Sequence, residues 1–156
     1  MIQLTAGPLR RFADWPDEQV PRRTAGVYTV WRDEEFLYVG MSGRGAQSED
    51  FTSQPGAPDG NKGLWTRLNS HASGRRSGDQ FNIYICDRFV VPSLTTDQQR
   101  DIGRGALLLD QMTRSFIRAQ LSYRFAVCRD GAEALAVERA IRAGSLPAGP
   151  PFLNPL

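Results

Sequence analysis

Five side chains in this sequence combine residue types and spacings that could do chemistry. Tyr28 and Tyr38 each stand two positions from a glycine in a short β-prone run, Gly26-Val27-Tyr28 and Tyr38-Val39-Gly40. Two phenols brought together beside glycines can meet a ligand backbone closely, because glycine has no Cβ to block the approach. Arg67 and His71 are one helical turn apart in LWTRLNSH and so share a face. Glu138 is one turn from Ala134, Leu135 and Ile141 in AEALAVERAIR, on the stripe that should face the core. An unpaired buried carboxylate is costly, so this position demands a cation, a metal or strong donors beside it.

The elements that must position these groups can be read from pattern. The runs at 26–32 and 36–40 alternate with period two around the polar Arg32-Asp33-Glu34-Glu35, which predicts a β-hairpin with Tyr28 and Tyr38 approaching across the ladder. A helix is expected over 62–73, capped by Asn61 and ended by Gly74. A third strand is expected at 81–86 and a long helix at 96–121, bent or weakened by Gly103 and Gly105. Another strand follows at 122–129. Asp130 and Glu133 make a capping-box-like start for the Glu138 helix, with Gly144 as its stop. Residues 1–24 show little periodicity and read as an irregular or partly extended lead-in, with Leu9, Phe12 and Trp15 packing onto the domain. Residues 41–61, rich in Gly, Ser, Pro and Asp, read as a long loop of the kind that is often functional. The fold class is α+β, a small mixed or antiparallel sheet flanked by helices, with 25–156 as a single domain.

Composition narrows the classes. The chain has 156 residues, enough for one domain and, on this reading, too few for a separate DNA-binding domain. It contains no apolar run long enough to span a membrane and no apolar secretory segment at the start, so a cytoplasmic protein with no membrane partner is expected. Cys86 and Cys128 lie in apolar runs without CxxC or Cys-His spacing, which reads as buried free thiols and gives no zinc signal. The net charge of +2 is no nucleic-acid signature. Every basic residue except Lys62 is arginine, which a GC-rich genome alone would explain. Arginine also grips phosphates with a planar fork where lysine offers a point charge.

In order along the chain come GVY, a short loop, YVG, a helix with LxxRLxxH, then ALxxE and a Pro-rich end containing Asn154. From about Gly26 to Asn154 this pattern resembles the GIY-YIG endonuclease family, with Val27 and Val39 where the family carries Ile. The resemblance implies a metal-dependent endonuclease that hydrolyses phosphodiester bonds. It gives Tyr28 the role of general base on the attacking water, Arg67 that of stabilising the phosphate, and Glu138 that of holding Mg²⁺ or Mn²⁺. An ordinary tyrosine, with a pKa of about 10, is a poor base at neutrality; Arg67 and the metal are expected to lower that value. Tyr38 would bind the phosphate or position the water. His71 would accept the phenol's proton or hydrogen-bond the phosphate. Asn154 would support the site by a hydrogen bond, or merely shape a turn before Pro155.

The loop at 41–61 and the stretch at 96–121 are extra material of the sort that stand-alone restriction enzymes of the family build onto the module. Double-stranded DNA is therefore the expected partner, contacted by Gly40, Ser42, Arg44, Lys62, Arg75 and Arg76. One active site per chain implies a homodimer or sequential nicking, and a restriction role implies a companion methyltransferase. Two other readings use the same residues: a non-catalytic DNA- or partner-binding module, and a toxin nuclease restrained by an immunity protein.

Overall fold

The two tyrosine runs form neighbouring antiparallel strands, as their alternation predicts. The computed structural model describes residues 2–45 and 63–156. Its elements in chain order are α1 (Ile2–Thr5), β1 (Arg10–Arg11), β2 (Gly26–Arg32), β3 (Glu35–Ser42), α2 (Leu64–Ser73), α3 (Gln80–Ile85), α4 (Thr96–Gly103), α5 (Leu109–Gln120), β4 (Ser122–Val127) and α6 (Gly131–Arg142). The fold is α+β, and the sheet is antiparallel in the order β1-β4-β2-β3. No helix among the described residues is long and apolar enough to cross a membrane.

The hairpin turns through Asp33 and Glu34. Asp33 takes the left-handed conformation (φ 51°), which Asp tolerates better than most residues. Tyr28 lies opposite Gly40, and Tyr38 opposite Val30. The tyrosines are thus diagonal rather than direct cross-strand partners, with ring centroids 6.5 Å apart. A register shift between Val30 and Trp31 separates the turn from the paired stretch that carries both tyrosines.

Alternation divides the sheet's side chains between two cores. Tyr28, Val30 and Tyr38 pack with Leu64, Leu68 and Ala72 of α2, Phe81 and Ile85 of α3, and Ile117 of α5. Val27, Val39 and Met41 pack on the other face with Ala134 and Ile141 of α6. Helices α2 and α6 therefore cover opposite faces of the sheet, and β3 is the edge strand between them. The tail closes that edge as a further strand would. Phe152 and Leu153 donate their backbone N–H groups to the carbonyls of Phe36 and Leu37 at 3.0 and 2.8 Å.

Three expectations are corrected. Residues 81–86 are not a strand: 80–85 are helical. Asp79 caps that helix by accepting from the Asn82 N–H at 3.3 Å, and Phe81 and Ile85, one turn apart, point into the core. A short continuous apolar run does not distinguish strand from buried helix, and here the cap and the four-residue spacing decide it. The long helix at 96–121 is two helices. Gly105 (φ 72°) turns the chain after α4, and the N–H groups of Ala106 and Leu107 both return to the Asp101 carbonyl. In the lead-in Phe12 and Trp15 are buried as expected, together with Leu4 and Val20, and its short extended stretch β1 pairs with β4; the correction there is Leu9. Leu9 packs onto nothing comparable and is 46% exposed. The Asn61 cap lies outside the described residues; α2 starts after Gly63 with no side-chain cap, and ends at Gly74 in the left-handed conformation as expected.

Candidate active site

Gly40 and the residues that follow it form the floor of a cleft at the β3 edge. The cleft has a volume of about 450 Å³ and is lined by Tyr38, Gly40, Met41, Ser42, Gly43, Arg44, Arg67 and Glu138. Arg67 comes from α2 and Glu138 from α6, so the two charged groups reach the same cleft from opposite faces of the sheet. Close packing at two glycines makes this geometry accessible. A Cβ on Gly40 would overlap the Tyr28 hydroxyl, so only glycine lets that phenol oxygen lie against the cleft floor. A Cβ on Gly131 would collide with the Gly43 carbonyl, so glycine at the start of α6 seats that helix on the turn after β3.

Behind the floor runs a buried hydrogen-bonded chain. The Tyr28 hydroxyl is 2.7 Å from His71 Nε2, and His71 Nδ1 is 2.7 Å from Asp79 Oδ2. Tyr28 and His71 are 0% exposed and Asp79 4%. The ionised Asp79 carboxylate can only accept, so Nδ1 carries the imidazole proton and Nε2 is left to accept from the Tyr28 O–H. Asp79 is itself held by the Ser70 hydroxyl at 2.7 Å and the Asn82 N–H. Burial works against its charge, but the bonds from His71, Ser70 and Asn82 outweigh that and hold the carboxyl below its ordinary value. Asp79 was missed in the sequence because 81–86 read as a strand. The cue was present: Asp before a helical apolar spacing is a cap signal.

Complete burial pushes the Tyr28 phenol well above its ordinary pKa, and neighbouring Tyr38 adds to the rise. The Arg67 charge opposes this without prevailing. Among the protein groups alone, burial outweighs the expected lowering by Arg67, so Tyr28 is held as a neutral phenol. Burial raises Tyr38 likewise, to about 12, so it faces the cleft as a hydrogen-bond donor. Glu138 is buried, 7% exposed, and lines the cleft. Its ion pair with Arg142, at 3.8 Å, is too long for a direct hydrogen bond. Arg142 is engaged instead with the tail, donating to the Asn154 and Pro155 carbonyls at 3.0 and 3.1 Å.

The remaining candidates divide. Arg44 is exposed and lines the cleft. Ser42 also lines it, but its hydroxyl donates to the Thr24 carbonyl at 2.9 Å, so its donor is already engaged. Asn154 is not at the cleft. It accepts from the Val39 N–H at 3.1 Å and donates to the Val39 carbonyl at 2.7 Å, which pins the backbone between Tyr38 and Gly40. Its role is thus to hold the edge strand. Arg75 and Arg76 follow the end of α2 and do not line the cleft; Arg76 is paired with Asp110 at 2.7 Å. Lys62 and residues 46–61 of the expected loop lie outside the described residues.

Among the described residues no three His, Cys, Asp or Glu side chains come together as a ligand set. Glu138 is a single carboxylate beside open cleft. That donor set suits a hard divalent ion that keeps several waters and shares a substrate phosphate, not a closed thiolate or imidazole site.

His71 yields a clean prediction because the chain has one histidine. Burial lowers its pKa below the ordinary 6.5, and the Arg67 charge works the same way against the opposing pull of Asp79. The unfolded chain then binds a proton that the folded chain refuses as pH falls below about 6.5. Stability conferred by neutral His71 is full above that value and is lost on descending toward the folded pKa. Urea unfolding between pH 7 and pH 5 should show stability falling by at most about 1.4 kcal/mol per pH unit, and His71→Asn should remove the histidine part of that slope.

Comparisons with protein-family models, curated proteins and solved structures return no match to this chain.

Proposed function

We propose that this protein is a metal-dependent endonuclease that hydrolyses phosphodiester bonds in double-stranded DNA, in restriction or phage defence. The observation that carries the reading is the meeting of Arg67 and Glu138 with Tyr38 in one cleft, over the Tyr28–His71 hydrogen bond. The order of motifs that resembles the GIY-YIG family supports it independently.

On this reading Arg67 grips the scissile phosphate and offsets charge that builds on its oxygens. Tyr38, kept protonated by burial, donates a hydrogen bond to the same group. Tyr28 accepts a proton from the attacking water as its own proton passes to His71 Nε2, so no free phenolate is needed. Arg44 at the cleft mouth meets the flanking backbone. Glu138 would hold Mg²⁺ or Mn²⁺, which when bound supplies Lewis-acid stabilisation of the phosphate.

The test is incubation of purified protein with supercoiled plasmid in Mg²⁺, in Mn²⁺ and in EDTA. Nicked or linear product that forms with either metal and is suppressed by EDTA is expected. Intact plasmid in every divalent metal, with DNA still bound in a gel shift, would mean a binding module instead.

A further inference from the structure

We infer that Asp79 is a positioning residue for DNA cleavage, setting the tautomer of His71 so that Nε2 can take the Tyr28 proton. This rests on the proposed nuclease reading and adds to it a residue that carries no family motif.

The geometry is specific. Asp79 Oδ2 accepts from His71 Nδ1 and from the Ser70 hydroxyl, each at 2.7 Å, while Oδ1 accepts the Asn82 N–H at 3.3 Å. The two oxygens therefore have separate duties: one caps α3, and the other faces the imidazole. Phe81, the second residue after Asp79 in the chain, packs on the His71 ring with centroids 4.5 Å apart, so α3 fixes both the ring's plane and its protonation. Asp79, His71 and Tyr28 all stand behind the cleft lining, and of the three the Tyr28 hydroxyl comes nearest to it, against Gly40. The direct hydrogen-bond route of Asp79 to the cleft runs through His71 and Tyr28, as that of the orienting carboxylate does in other buried acid–histidine pairs.

The proton bookkeeping is closed within these groups. The attacking water gives a proton to Tyr28 Oη while Tyr28 gives its proton to His71 Nε2. The water oxygen forms the new bond to phosphorus, and the electron pair of the breaking P–O bond leaves on the sugar oxygen, which takes a proton from solvent. The imidazolium is stabilised by the Asp79 carboxylate until it returns its proton through Tyr28 to solvent.

Asp79→Asn separates positioning from folding. The amide oxygen can keep the Asn82 cap while the amide NH₂ replaces Oδ2. That group donates to Nδ1, so the proton moves to Nε2, and the Tyr28 hydroxyl loses its acceptor. Long-range ¹H–¹⁵N spectra of the single imidazole read this directly. The wild type should show Nδ1 protonated and Nε2 bare; Asp79→Asn should show the reverse. Plasmid cleavage should fall about 10²–10⁴-fold with DNA affinity in a gel shift unchanged. Cleavage by the wild type with an undiminished rate in a tautomer-switched Asp79→Asn would overturn the inference and leave the nuclease reading standing. No cleavage by the wild type in any divalent metal would overturn both. If Asp79→Asn does not fold, the wild-type spectrum decides: an Nε2-protonated His71 sinks the inference.

Discussion

Arg67→Ala is expected to slow plasmid cleavage about 10²–10³-fold with only a small loss of stability. Arg67 projects into the cleft from the exposed side of α2, and the Tyr28 hydroxyl keeps its bond to His71 without it. Arg67 also hydrogen-bonds the Tyr28 hydroxyl, so its removal should cost about 0.5–1.5 kcal/mol of stability. The loss should therefore appear mainly in the rate constant of cleavage, with only a small shift in the urea midpoint. Glu138→Gln keeps the side chain's volume between Ala134 and Ile141 but removes its charge, and should lose at least as much. Single-turnover rates on supercoiled plasmid, with circular dichroism as the control for folding, check both. Wild-type rates in both variants would place the chemistry elsewhere or in a contaminant.

Phe81→Ala should destabilise the fold by about 3–5 kcal/mol. Phe81 is fully buried, and its ring lies 5.0 Å from that of Tyr38 and 4.5 Å from that of His71. Truncation removes apolar burial and the ring contacts together, and leaves a cavity beside two site residues. Cleavage at a temperature where the variant remains folded should fall as well, because the His71 ring loses the surface against which it is held. Leu9→Ala is the contrast, since Leu9 is 46% exposed and should shift stability by less than about 0.5 kcal/mol. Urea denaturation of the two variants beside the wild type measures the difference. A Phe81→Ala midpoint equal to that of Leu9→Ala would contradict the packing described.

Much of the scaffold was legible because its signals are local. The alternation of 26–32 and 36–40 specified the hairpin, and the LxxRLxxH spacing put Arg67 and His71 on one helix. Asp130 capped α6 as expected, with its side chain accepting from the Glu133 N–H at 2.8 Å. The misreadings share a cause. In 81–86 an apolar run satisfied both strand and helix patterns, and only burial of Phe81 and Ile85 on one side chose between them. Across 96–121 the apolar spacing continued through a chain reversal that Gly105 permits. In 1–24 the pairing itself was out of reach: the strand is two residues long, and its partner β4 is more than a hundred positions away, so no window of sequence contains the pair.

Residue types and spacing by themselves determined which groups stand on which element: two phenols on a hairpin, a guanidinium and an imidazole on one helix, a carboxylate on the inward stripe of another. The tertiary structure decided how those groups divide between surface and interior. Because β3 is an edge strand, helices on opposite faces both reach it, and Arg67 and Glu138 open onto a common cleft with Tyr38. Tyr28 and His71, equally prominent in the motifs, go instead to the interior, where desolvation keeps both neutral and Asp79 sets the direction of their hydrogen bond. Charge state and proton direction depend on what surrounds a group in space, and those neighbours come from segments that sequence spacing does not connect.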